Sequence, residues 1–270
     1  MTTADRTSTR LAAVGDIHFG RTPAAALQAL LARAAETADI LVLAGDLTDT
    51  GHPDEARLLA RELAAVKLPI VAVLGNHDHH AGRVAETQQI LGDAGVSVLD
   101  GTAVELLGVG FAGTKGFAGG FGRHALGPWG EATIKGFVQE AVDEALKLET
   151  ALARVRTEHK VALLHYAPIA GTVEGEPPEI FPYLGSSRLE EPLGRYPVNV
   201  VFHDHAHHGA PEGRTAGGVP VFNVSMSLLQ RTYPDLPSFR LFELPRSAPP
   251  ASAAPGDPLP ARNAELGHRP

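Results

Sequence analysis

Residues 11–47 read LAAVGDIHFGRTPAAALQALLARAAETADILVLAGDL, and this stretch decides the fold class. It begins with an apolar run, Leu11–Ile17, and ends with another, Ile40–Leu47. Both are short and rich in Val, Leu and Ile, as strands buried on both faces are. Between them, residues 23–38 carry a helical pattern. Pro23 suits its first turn, where a missing N–H costs nothing. Strand, helix, strand is the crossover unit of a parallel sheet, so an α/β fold is expected.

The same alternation continues outward. Further apolar runs are Pro69–Leu74, Val96–Leu99, Ala103–Phe111, Val161–His165, Val198–Phe202, Val219–Val224 and Phe239–Leu244. Helical patterns fall at residues 53–66, 81–94 and 131–158, with Pro53 at a helix start and Gly95 as a C-terminal cap. The first half therefore predicts a parallel sheet. The last part, mostly strands with short turns, reads as antiparallel pairing. Gly108–Gly130 reads as one long Gly-rich loop, a length that compact domains usually keep for function.

Composition narrows the classes. The chain has 270 residues, 44% of them hydrophobic, enough for a sizeable core. Its formal net charge of -8 makes it a poor bulk binder of nucleic acid or anionic membrane. There is no cysteine, which excludes disulfides, thiolate metal sites and cysteine nucleophiles. No apolar run approaches the roughly 20 residues of a membrane span. Met1 to Arg10 is polar with no signal-like apolar core, so a cytoplasmic protein is expected. The expected organisation is a flexible lead at residues 1–9, one domain at 10–244, and a Pro- and Ala-rich disordered tail at 245–270.

The residues suited to chemistry sit where the apolar runs end, the edge at which open α/β sheets bind ligands. Asp16 and His18 follow the first run, Asp46 the second, and Asn76, His77 and Asp78 the third. His165 ends a later run, and His203, His205 and His207 end another. In an extended chain, residues two apart share a side, so Asp16 with His18, and His205 with His207, are each expected to converge. Imidazole with carboxylate suits zinc, manganese or iron better than magnesium or calcium. Asp16, His18, Asp46, Asn76, His165, His205 and His207 are too many donors for one metal and fit two that share a carboxylate.

The blocks Asp16-Ile17-His18, Gly45-Asp46-Leu47-Thr48-Asp49, Gly75-Asn76-His77-Asp78, the mid-chain His165 and the late His205-Ala206-His207 resemble those of the calcineurin-like metallophosphoesterases, in the same order. That resemblance implies a four-layer α/β/β/α sandwich of two mixed sheets, with the site at the strand C-terminal edge. It implies one metal on Asp16, His18, Asp46 and His207, and a second on Asp46, Asn76, His165 and His205, with Asp46 bridging. His77 would protonate the leaving group and Asp78 would orient it. The metals would be two of Mn, Fe or Zn. The reaction implied is in-line hydrolysis of a phosphate ester by a metal-bridging hydroxide. The blocks lack the Asp-Arg-Gly continuation of the protein phosphatases and look more like the small bacterial phosphodiesterases. A small phosphodiester, nucleotides included, is the expected substrate. A monoesterase, a nuclease or an impaired scaffold member are the alternatives. Neither membrane nor nucleic acid is an expected partner.

One position departs from the family pattern. Asp204 stands where the late motif usually has glycine. Asp tolerates left-handed backbone better than most residues. An extra carboxylate beside the second metal is expected to coordinate it, displace water or repel phosphate, so Asp204→Gly is expected to raise turnover. Lys115, Arg123 and His124, in the Gly-rich stretch, are candidate phosphate or nucleotide contacts. His79, His80 and Asp49 are expected behind the ligands or in solvent, and His203 behind the site or in a core hydrogen bond.

Overall fold

The structure, a computed structural model, describes residues 7–246. The expected order holds through the first half: β1 (Ser8–Val14), α1 (Ala24–Thr37), β2 (Ile40–Leu43), α2 (Pro53–Ala64), β3 (Ile70–Ala72), α3 (Asn76–His79), α4 (Val84–Asp93) and β4 (Val96–Val98). The second half holds β5 (Thr102–Leu106), β6 (Val109–Gly113), α5 (Ala132–Arg154), β7 (His159–Leu163), α6 (Phe181–Leu184), α7 (Glu190–Arg195) and β8 (Val200–His203). It ends with β9 (Glu212–Arg214), β10 (Pro220–Asn223), α8 (Met226–Thr232) and β11 (Arg240–Pro245).

Two mixed sheets result, ordered β11-β1-β2-β3-β4 and β5-β6-β7-β8-β10-β9. Period-2 alternation stacks them. Leu11, Ala13, Val42 and Val71 of the first sheet share one core cluster with Phe111, Leu163, Phe202 and Phe222 of the second. The alternate residues Ala12, Val14, Leu41 and Leu43 pack with Leu27 and Leu31 of α1 and Leu59 and Leu63 of α2. On the far side, Ala112, Ala162 and Val201 pack with Leu148 and Leu152 of α5 and Leu193 of α7. The layers are thus helix, sheet, sheet, helix, as the resemblance implies.

Several expectations are corrected. The last part is not mainly antiparallel: in the second sheet β6, β7, β8 and β10 run parallel, and only β5 and β9 there, with β11 in the first sheet, pair antiparallel. The stretches that read as turns hold the crossovers, with α6 and α7 between β7 and β8. The single run Ala103–Phe111 is a hairpin, β5 and β6. Its two-residue turn puts Leu107 (φ 50°) and Gly108 (φ 81°) in left-handed backbone, which matches the strand twist. Leucine there gives no turn signal. Part of the expected Gly-rich loop is therefore β6. Ser8 pairs with Pro245 and Thr9 with Leu244, so these residues of the expected lead and tail belong to the first sheet. Residues 1–6 and 247–270 lie outside the described residues. Among the described residues, no helix is long and apolar enough to cross a membrane.

Candidate metal centre

The ends of β1, β2 and β3 and the turn after β8 meet at one edge. The chain leaves β1 after Val14 and bends sharply. Asp16 (φ 52°), His18 (φ 44°), Asp46 (φ 45°) and His205 (φ 71°) all adopt left-handed backbone, and Leu107 is the one other non-glycine position to do so among the described residues. Such backbone costs on the order of 1–3 kcal/mol per residue and persists where surroundings enforce it. Here they do: Asp16 N–H donates to the Gly45 carbonyl at 3.1 Å and His18 N–H to the Asp46 carbonyl at 2.9 Å.

This corrects the alternation argument. Asp16 and His18 are not residues of an extended strand, yet their bent backbone still brings them together, with His207 as third donor. His205 and His207 do not converge. His205 joins Asp46 and His165. In each group of three, the donor atoms lie within 4.8 Å of one another.

Asp46 stands between the groups. Its Oδ2 is 3.9 Å from His18 Nε2, and its Oδ1 is 3.6 Å from His165 Nε2. Asn76 Oδ1 lies 2.7 Å from His165 Nε2. Gly75 permits the approach: a Cβ there would lie 2.1 Å from Asp46 Oδ1.

The donors fit cations. Asp16 Oδ1 and both His18 ring nitrogens are buried with no hydrogen-bond partner. Buried polar atoms rarely stay unpaired, because each forfeits its hydration. Burial lowers the His18 pKa to about 4, against a smaller opposing effect of Asp16, and so keeps the imidazole neutral, the form that binds metal. Burial also lowers His165 and His205. Burial, then Asp16 and Asp78, push the Asp46 carboxyl well above its ordinary range. A bound cation reverses that balance for a carboxylate.

His77 is half exposed at the mouth of the site, its ring 4.5 Å edge-on from that of His18. Its Nδ1–H donates to the Asp49 backbone carbonyl at 2.6 Å, and the Asp49 carboxylate is 3.9 Å away. Nε2 is left facing Asp46 Oδ2 at 3.9 Å. Asp78 does not orient this ring. Fully buried, it accepts from Leu47 N–H, Thr48 N–H, the Thr48 hydroxyl and Gly75 N–H, tying the second and third motif loops together. Asp49 takes a larger part than the sequence suggests. Its one signal there is its place three residues after Asp46, on the same loop.

Asp204 is fully buried. Its Oδ1 is 2.7 Å from His165 Nδ1, and its Oδ2 accepts from Asp16 N–H at 2.8 Å. Burial, then Asp16 and Asp46, raise its carboxyl well above the ordinary range. The left-handed residue of this turn is His205, not Asp204, so tolerance of such backbone does not explain the aspartate. His203 is a buried core histidine, bonded to the Asp204 carbonyl and the Thr172 hydroxyl. Lys115 turns its ammonium to the Gly116 carbonyl, over the Phe117 and Tyr166 rings. Arg123 and His124 bond to each other on an exposed 3-10 turn, 3.1 Å apart. His79 and His80 are both exposed.

Comparisons with known proteins agree with this architecture. No curated protein matches the sequence. Among solved structures, phosphopantetheinyl hydrolase (PptH) from Mycobacterium tuberculosis is similar, with a TM-score of 0.62 and 16% identity over 93% of this chain and 99% of that one. TT1561 of Thermus thermophilus gives 0.54 and 15%, over 89% and 100%. The purple acid phosphatase PPD1 of yellow lupin gives 0.51 and 14%, over 75% of this chain and 38% of that one. At such identities these matches speak for the fold. Residues 9–209 match the sequence profile of the calcineurin-like phosphoesterases, and the chain belongs to that family.

Proposed function

We propose that this metal-dependent phosphoesterase is a phosphodiesterase, with one cation held by Asp16, His18, Asp46 and His207 and a second by Asp46, Asn76, His165 and His205. The observation that carries the reading is Asp46, whose two oxygens face two separate donor groups, with His77 Nε2 at their mouth. When bound, two such cations supply Lewis-acid charge to the phosphoryl oxygens and a nucleophile from water at neutral pH. The protein's own part is positional. The Asp49 carbonyl holds Nδ1–H of His77, which leaves Nε2 facing the site, where an Nε2–H would meet the leaving oxygen. Water gives up one proton to solvent, its oxygen bonds to phosphorus as the bond to the leaving oxygen breaks, and Nε2–H protonates that oxygen.

Charge favours a diester over a monoester. The Arg21 guanidinium acts on His18 and Asp46 but already faces Asp49 at 3.6 Å. Lys115 acts on His165 but is engaged by a carbonyl. A monoanionic diester asks less of such a rim than a dianionic monoester does.

The test compares bis-p-nitrophenyl phosphate with p-nitrophenyl phosphate in added manganese, zinc or iron. Faster metal-dependent turnover of the diester is expected, and His77→Ala should lower it about 10²- to 10⁴-fold while keeping the metals. Preference for the monoester, or an unchanged His77→Ala, would refute the reading.

A further inference from the structure

Asp204 is built into the back of the centre by contacts of both its side chain and its backbone. Its Oδ1 meets His165 Nδ1 at 2.7 Å, and its Oδ2 accepts from Asp16 N–H at 2.8 Å. Its own N–H donates to the His165 carbonyl at 3.2 Å, and its carbonyl holds His203 at 2.9 Å. The carboxylate thus reaches one candidate ligand from each donor group. Each of its oxygens is engaged by one of these contacts.

The room for it comes from Gly15. A Cβ there would lie 2.2 Å from Asp204 Oδ2 and 2.5 Å from its carboxyl carbon. The two positions are therefore reciprocal: a side chain at 15 excludes the one at 204.

His165 shows what the carboxylate accomplishes. The neutral ring has one N–H and one lone pair. Asp204 faces Nδ1, while Nε2 faces Asn76 Oδ1 at 2.7 Å and Asp46 Oδ1 at 3.6 Å. With the proton held on the Asp204 side, Nε2 keeps its lone pair on the side where the other donors gather, Asn76 Oδ1 among them. A carboxylate behind a ligand histidine fixes both the tautomer and the ring orientation, and raises ligand basicity.

We propose that Asp204 is a positioning residue for the second cation, holding Nδ1–H of His165 so that Nε2 is the ligating atom, with Gly15 as its steric complement. The inference rests on the two-cation reading above. It reverses the expectation that Asp204 impairs the enzyme: Asp204→Gly should weaken the centre.

The test strips the full chain of metal with a chelator and titrates it with Zn(II) by calorimetry. Wild type should show two sites. Asp204→Gly should weaken one of them about 10- to 100-fold and leave the other nearly unchanged. Gly15→Ala should do the same, because its methyl displaces the carboxylate. The double variant should bind no worse than the weaker single. Asp204→Asn keeps the size but can accept from only one of the two N–H groups. It should weaken the same site and provides the answer if Asp204→Gly does not fold. In the zinc-loaded, 15N-histidine-labelled protein, long-range 1H–15N correlations should place the proton of His165 on Nδ1 and zinc on Nε2. Asp204→Gly should lose the protected Nδ1 proton.

Fewer than two sites in wild type would defeat the two-cation reading, and this inference with it. Two sites in wild type, with unchanged affinities in Asp204→Gly and Asp204→Asn, would overturn the inference alone. So would zinc on Nδ1.

Discussion

The donors Asp16, His18 and His207 contrast with Asp46, His165 and His205. In the first group, Asp16 Oδ1 and both ring nitrogens of His18 are buried and bare, and His207 is partly open to solvent. In the second, His165 is fully buried with Asp204 against Nδ1 and Asn76 against Nε2, and Asp46 Oδ1 accepts the His77 N–H at 2.8 Å. His205 rests its Nε2 against the Tyr183 carbonyl at 3.2 Å. One half is left unsatisfied by the protein, and on the proposed reading a cation would complete it. The other is braced beforehand, by Asp204 behind it and Asn76 beside it. Orientation fixed before binding lowers the cost of ordering a site, whereas bare buried atoms raise the gain from filling it.

The variant expected to do most harm removes what the halves share. Asp46 is the carboxylate within 4 Å of imidazoles in both. Asp46→Ala should cost both cations and more than about a thousandfold in turnover, since Lewis-acid and nucleophile roles vanish together. Elemental analysis with a diester assay checks it. One cation per chain and near-normal turnover would show that the halves do not depend on Asp46.

Smaller effects should separate the halves. His207→Ala removes a donor from the first group and His205→Ala from the second. Each should weaken one cation by about one to two orders of magnitude and affect the other less, because each histidine belongs to one donor group only while Asp46 stays in place. Loss of both cations in either variant would mean that the halves fill as one cooperative unit, coupled through Asp46 or through Asp204.

Much of this centre was legible in the sequence, and the reason is topological. A parallel sheet turns at the carboxyl ends of its strands, so polar residues ending successive apolar runs are brought to one edge. That placed Asp16, His18, Asp46, Asn76, His165, His205 and His207 without any contact being known. Backbone handedness was not legible. Period-2 alternation presumes extended chain, and left-handed Asp16, His18 and His205 break it, so His205 and His207 part company. The role of Asp78 was hidden for a related reason. Adjacency to His77 suggested contact, but in the short helix α3 neighbouring side chains point apart, and Asp78 turns inward to Thr48. Asp204 looked foreign because its complement, Gly15, lies 189 positions upstream in a motif where glycine draws no notice. In the fold, the parallel β7-β8 pair went unread because short helices such as α6 and α7 carry too few turns for a periodic signal.

The smallest effect concerns how His77 is held beside the unsatisfied half. Two groups of Asp49 compete for that role: the backbone carbonyl at 2.6 Å from Nδ1, and the carboxylate Oδ1 at 3.9 Å. The first is a hydrogen bond and survives any substitution that keeps the backbone. The second is a longer ionic contact that Asp49 also spreads over His18 at 3.5 Å and Arg21 at 3.6 Å. Partly exposed ion pairs of this kind are worth about 0–1 kcal/mol, which is about fivefold in rate at most. Asp49→Asn should therefore lower kcat on a diester by no more than about fivefold, with KM and both cations retained. The comparison with His77→Ala is the informative one. If Asp49→Asn falls as far as His77→Ala, the carboxylate and not the carbonyl sets the ring. If the cation on Asp16, His18 and His207 is lost instead, the carboxylate belongs to the unsatisfied half, supplying the charge that its bare nitrogens face.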